Sequence, residues 1–185
     1  MIEIILTLDY EIYGDATGSL RELILEPAQS LMGLFQKWNC PLVVFVEVAE
    51  LERIYQERSD QDIEAVFQQI RELESQGHEI ALHLHPQWSG AKYQNGRWQV
   101  DLSEYNLCSL PEERIREIVS GGIKFLRFIL GENDYMSISF RAGNWLFQPT
   151  QPAARILYEY GIRIDSSVFK GGRFKSYGVD YRKAG

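Results

Sequence analysis

Two histidines one residue apart, His83 and His85, close an apolar run and are followed at once by Pro86. In an extended strand, alternate residues point to the same face with their Cα atoms ~6.7 Å apart, so both imidazoles can converge on one ion. Leu82 and Leu84 then point the other way, toward covering helices. Asp9 and Glu11 end another apolar run with the same spacing. Two carboxylates on one face need a cation or a proton to sit together, and this pair can supply a third ligand and a general base. Arg141 closes a run containing Ile138 and Phe140, where it serves either a structural ion pair or a catalytic carboxylate. Asp165, with Ser166 and Ser167 behind it, closes one more. Trp88, Trp98 and Trp145 offer flat faces that either stack on sugars or pack within the fold. His78 lies on the face opposite His83 by parity and reads as a surface residue at the start of its strand.

Asp9 and Glu11, His83 and His85, Arg141, and Asp165 share a position: each lies where an apolar strand-type run ends, and parallel sheets and barrels place active sites at strand ends. Strands are expected over Ile2 to Asp9, Leu42 to Val48, Glu79 to His85, Ser137 to Arg141 and Ile162 to Asp165. Between them the spacing predicts a helix over Leu25 to Trp38, with Leu31, Leu34, Phe35 and Trp38 as its apolar stripe. A second helix is expected over Asp60 to Gln76, with the stripe Ile63, Val66, Phe67, Ile70 and Leu73, a cap from Asp60 and a stop at Gly77. A third runs over Pro111 to Leu130 after a capped start at Ser109, with Gly121 and Gly122 allowing close packing, and a fourth over Gln151 to Tyr160. The twenty-odd residues after Pro86 read as a long loop, and Gly171, Gly172 and Gly178 mark loop near the end. Strands alternating with helices predict a parallel α/β architecture.

The chain has 185 residues, 45% of them hydrophobic and 24% charged, enough to bury one core in one domain spanning 1–185. A formal net charge of -7 argues against a nucleic-acid partner. No apolar run reaches the ~18 residues of a membrane span, and no basic leader precedes Ile2. With only Cys40 and Cys108, far apart, the expected setting is reduced and cytoplasmic. A complete eightfold barrel takes ~250 residues, so a domain lacking its C-terminal part is expected, with no strand or helix in the closing segment Asp180 to Gly185.

In order along the chain, LTLDYE at Leu6 to Glu11, GHEIALHLHP at Gly77 to Pro86, SFRAGNW at Ser139 to Trp145 and YGIRIDSSVF at Tyr160 to Phe169 resemble motifs of the polysaccharide deacetylase family, carbohydrate esterase family 4. The likeness is greatest to the branch associated with bacterial surface-polysaccharide and O-antigen biosynthesis. It implies a distorted or incomplete (β/α) barrel and metal-dependent removal of N- or O-acetyl groups from a sugar. By resemblance Asp9 matches the general base, His83 and His85 the metal histidines, and Arg141 the arginine that orients the base. The family's metal-binding aspartate has Tyr10 in its place, so Glu11 takes that role or the site is altered. The histidine spacing is two where four is usual.

The family's late catalytic histidine has no counterpart, because no histidine follows His85. The acid then lies beyond Gly185, or another group serves, or the chain does not turn over. Asp165, Trp88 and Trp145 are candidates for contacts with the carbohydrate substrate. Two histidines and a carboxylate suit a divalent metal, zinc first, with iron, cobalt, nickel and manganese also fitting. Two other readings remain open: an inactive carbohydrate- or metal-binding module of the same fold, and another H-x-H metallohydrolase.

Overall fold

The structure, a computed structural model, describes residues 2–12 and 17–183. Strand β1 (Thr7–Tyr10) leads through one turn of π-helix to α1 (Glu26–Lys37), then β2 (Val43–Glu47), α2 (Val48–Glu57), α3 (Ile63–Ser75) and β3 (Glu79–Leu84). A short hairpin, β4 (Lys92–Gln94) and β5 (Arg97–Gln99), precedes α4 (Glu112–Leu130), β6 (Ser139–Ala142), α5 (Thr150–Glu159) and β7 (Ile164–Asp165). A second hairpin, β8 (Arg173–Phe174) and β9 (Val179–Asp180), follows. The main sheet has five strands in the order β1-β2-β3-β6-β7, every neighbour pair parallel.

Strand parity divides this sheet into two chemically different faces. Leu8, Tyr10, Val44, Val46, Ile80, Leu82, Leu84 and Phe140 belong to the apolar core packed under the helices. Gly122 of α4 brings that helix close: a Cβ there would meet Leu84 and Val48 at 3.0 Å. Gly121, expected to share this role, faces open space. On the other face, register aligns Asp9 with Phe45, and Glu47 with His83 and His83 with Arg141. The alternation is thus apolar toward the helices, while the other face mixes Phe45 and Ala81 with the polar side chains that reach a cavity at the strand ends.

Several expectations are corrected. Residues 2–6 lie outside β1, and Ile2, Ile4 and Ile5 are exposed. Helix α1 docks through Ala28 and Met32, with Phe35 of the expected stripe packed against the same core, while Leu31, Leu34 and Trp38 are exposed. Helix α2 went unread because β2 runs into it without a break; Glu47 ends the strand and caps the helix, its carboxylate accepting the Glu50 amide.

Asp60 accepts the amides of Leu20 and Asp62 ahead of α3 rather than capping the helix itself. Ser109 likewise does not cap α4, its hydroxyl donating to the Asn106 carbonyl. The expected loop after Pro86 contains the β4–β5 hairpin, turned at Asn95 and Gly96, both with positive φ, as a two-residue hairpin turn requires. Similarly β8 and β9 occupy the segment read as loop, so Asp180 lies in a strand; Ala184 and Gly185 fall outside the described residues. Cys40 and Cys108 are free. Among the described residues no helix is long and apolar enough to cross a membrane.

Candidate metal centre

The C-terminal ends of β1, β2, β3 and β6 meet over the polar face. Glu11 follows β1, His83 stands within β3, and His85 follows that strand just before Pro86 starts a 3-10 turn. One ligand atom from each of Glu11, His83 and His85 falls within 4.8 Å of the others, an arrangement that could hold a metal ion. Both His Nε2 atoms approach the same carboxylate oxygen, Glu11 Oε2, at 3.2 Å from His83 and 2.8 Å from His85.

The hydrogen-bond partners decide what those nitrogens offer. His83 Nδ1 lies 2.7 Å from the Arg141 carbonyl oxygen. A carbonyl only accepts, so Nδ1 carries the proton, and whenever the ring is neutral its Nε2 presents a lone pair toward Glu11. A lone pair facing a carboxylate oxygen needs a cation or a proton between them. His85 Nε2 is buried without a hydrogen bond, since its close approach to Glu11 lacks hydrogen-bond geometry. Burial pushes the Glu11 carboxyl up, but the imidazoles beside it, in their positive form, outweigh this and hold it below the ordinary carboxylate value. Glu11 therefore stays ionised, and its environment favours positive charge. The orphaned nitrogen, the opposed lone pair and the two-histidine, one-carboxylate donor set all fit a divalent cation.

Asp9 sits beside this group in an ion pair with Arg141. The guanidinium is fixed on every side: it donates to Thr7 Oγ1 at 3.1 Å, to Ser166 Oγ at 2.8 Å and to the Ser166 carbonyl at 3.3 Å. It also lies 4.1 Å from the Phe45 ring centroid, a cation–π contact. Arg141 is thus a rigid clamp on one oxygen of Asp9.

A cavity of about 540 Å³ opens over these residues, lined by Asp9, Glu11, His83, His85, Trp88 and Trp145. Trp88 is buried, its ring edge-on to Trp98 at 5.3 Å. Trp145 is 46% exposed at the rim, presented by a turn in which Asn144 and Trp145 both have positive φ. Asp165 is not brought to the cavity: it accepts the Ser167 amide and hydroxyl, and Ser167 in turn donates to nothing in the cavity but accepts the Ala142 amide. His78 is buried rather than on the surface, because its Nδ1 accepts the Leu42 amide ahead of β2.

Two buried carboxylates in the lining were not anticipated. Glu47 and Glu50 are each 1% exposed. Glu47 accepts the His85 amide at 2.7 Å as well as the Glu50 amide, tying the end of β3 to the start of α2. Glu50 accepts the Ile12 amide at 3.0 Å, fixing the chain just after Glu11. Burial pushes the Glu50 carboxyl up to about 8 and Glu47 well above the usual range. Position offered only a partial signal, since Glu47 lies near the end of the apolar run Leu42 to Val48, and nothing marked Glu50.

No protein-family model matches the chain, and no curated protein matches it.

Proposed function

We propose that this chain is a metal-dependent hydrolase that removes acetyl groups from a sugar, within a fold of the polysaccharide deacetylase type. The observation that carries this reading is the convergence of Glu11, His83 and His85 on one point beside the clamped carboxylate of Asp9. Glu11 Oε2 and the Nε2 atoms of His83 and His85 would hold the ion. When bound there, a divalent metal supplies Lewis acidity to a water and to the acetyl carbonyl.

Asp9 is the general base. Arg141 occupies its Oδ1, so Oδ2 is the oxygen that takes a proton from the attacking water. Glu47 keeps the backbone at His85 in place through the amide it accepts, so the ligand does not depend on a free loop. The cavity volume falls within the range of small-molecule sites, and Trp145 offers an exposed aromatic face at its rim to the apolar side of a sugar ring. A net charge of -7 suits a carbohydrate better than a polyanionic nucleic acid. Sequential parallel strands, apolar toward the helices and charged on the other face, support a sheet belonging to a distorted barrel.

The test is acetate release from acetylated aminosugar oligomers and acetylated polysaccharide by protein loaded with Zn²⁺, Co²⁺ or Mn²⁺. We expect release that a chelator abolishes and that His83→Ala lacks. Binding of sugar and metal without acetate release under any loading would replace this reading with that of a binding module.

A further inference from the structure

The two histidines are oriented by different chemistry. His83 Nδ1 faces a backbone carbonyl, which can only accept. His85 Nδ1 faces two side-chain amides, with Gln87 Nε2 at 3.2 Å and Asn144 Nδ2 at 3.5 Å, and an amide turned end for end donates from nitrogen or accepts at oxygen. The way the amide is turned therefore sets which ring nitrogen of His85 keeps the lone pair. With the Gln87 NH₂ toward Nδ1, the proton resides on Nε2 and the ring cannot ligate through that atom. With Gln87 Oε1 toward Nδ1, Nδ1–H donates to it and Nε2 presents its lone pair toward Glu11.

We propose that Gln87 is a positioning residue for the metal centre: its Oε1 accepts from His85 Nδ1 and so holds Nε2 free to bind the ion. This rests on the metal site of the preceding reading. Gln87 is 6% exposed, and its Oε1 is buried with no hydrogen bond of its own, so turning that oxygen to His85 forfeits no existing bond at Oε1. Its backbone is held on both sides: the Trp88 amide donates to the His85 carbonyl at 3.0 Å, and the Asp101 amide donates to the Gln87 carbonyl at 3.3 Å. The His85 ring is also confined by its packing, since a Cβ on Gly143 would lie 2.6 Å from His85 Cγ. A confined ring takes its tautomer from the amides that face it. Of the two amides, Gln87 is nearer, and its oxygen is buried without a partner.

The test is titration of chelator-treated full chain with Zn²⁺ by calorimetry, on wild type, Gln87→Met and Gln87→Glu. Met fills a similar volume but offers no comparable acceptor, and we expect about a 10- to 100-fold loss of affinity, the range seen when a ligand-orienting partner is removed. Glu offers only acceptors and should match or exceed wild type. Thermal unfolding of the metal-free proteins checks that all three are folded; should Gln87→Met fail to fold, Gln87→Glu alone still decides, because an amide needed as a donor would make it weaker than wild type. Equal affinity of wild type and Gln87→Met, weaker binding by Gln87→Glu, or no Zn²⁺ binding by wild type would each overturn the proposal. Acetate release is read separately: tight Zn²⁺ binding with no release would sink the deacetylase reading and leave the role of Gln87 intact.

Discussion

At the scale of single residues, the two carboxylates at the end of β1 separate metal binding from proton transfer. Glu11 touches both imidazoles, whereas Asp9 touches Arg141. We expect Glu11→Gln, His83→Ala and His85→Ala each to weaken Zn²⁺ binding, because a site with two remaining protein ligands competes poorly with water. Asp9→Asn should keep the ion and lose about 10²- to 10⁴-fold in turnover, the usual contribution of a general base. Metal analysis after dialysis, with acetate release on the same samples, checks this; loss of metal from Asp9→Asn with retention in Glu11→Gln would reverse the two roles. His83 and His85 were legible in the sequence because strand parity aims alternate side chains at one point, and Glu11 was legible from its spacing after Asp9 together with the family resemblance, which left its role open. Glu47 and Glu50 were not, because a glutamate at a strand end and another in a first helical turn look like ordinary solvated positions until the fold buries them.

At the scale of elements, the centre depends on how closely the turn after β6 approaches the end of β3. Gly143 begins that turn, and a Cβ there would lie 2.6 Å from His85 Cγ and 2.7 Å from Cδ2. These atoms belong to a ring packed between strands, so Gly143→Ala must rotate or push it. We expect a loss of Zn²⁺ affinity of about 10- to 100-fold, with His83 still in place. Gly121→Ala is the control, since its Cβ meets nothing within 4 Å and the change should stabilise α4 by up to about 1 kcal/mol. Unchanged affinity in Gly143→Ala would show that the ring accommodates the methyl group.

The helical stripe of α3 was legible because all of Ile63, Val66, Phe67, Ile70 and Leu73 are buried. That of α1 was not: its sequence carries two apolar arcs, and only packing selects the one containing Ala28 and Met32. The parallel α/β arrangement was legible from alternation of strand and helix patterns, whereas the two hairpins were hidden in short segments whose pairing depends on turn geometry.

Across the whole molecule, the polar face concentrates acid: Glu11, Glu47 and Glu50 all line one cavity. Without a cation, this arrangement makes stability fall as pH rises. Burial is the largest influence on Glu50 and pushes its carboxyl up to about 8, with the charge of Glu11 adding to it and the Ile12 amide opposing. In the unfolded chain the same carboxyl titrates near its ordinary value of 4.5. Between these values the folded protein holds a proton that the unfolded chain has released. The contribution of Glu50 is therefore complete below about pH 4.5 and is lost as pH rises toward 8, at up to about 1.4 kcal/mol per pH unit. Glu47, also raised by burial, acts in the same direction. Glu11 is lowered, so its contribution is present above its unfolded value and lost only as pH falls below it; the two windows do not coincide. Urea unfolding of chelator-treated protein between pH 5 and pH 8 should show stability declining in wild type. Glu50→Gln, which mimics the protonated side chain, should decline less steeply, with Glu47 supplying the remaining slope. Added Zn²⁺ should offset the decline by stabilising the ionised carboxylates. Parallel profiles for wild type and Glu50→Gln would mean that Glu50 is already ionised in the folded metal-free protein.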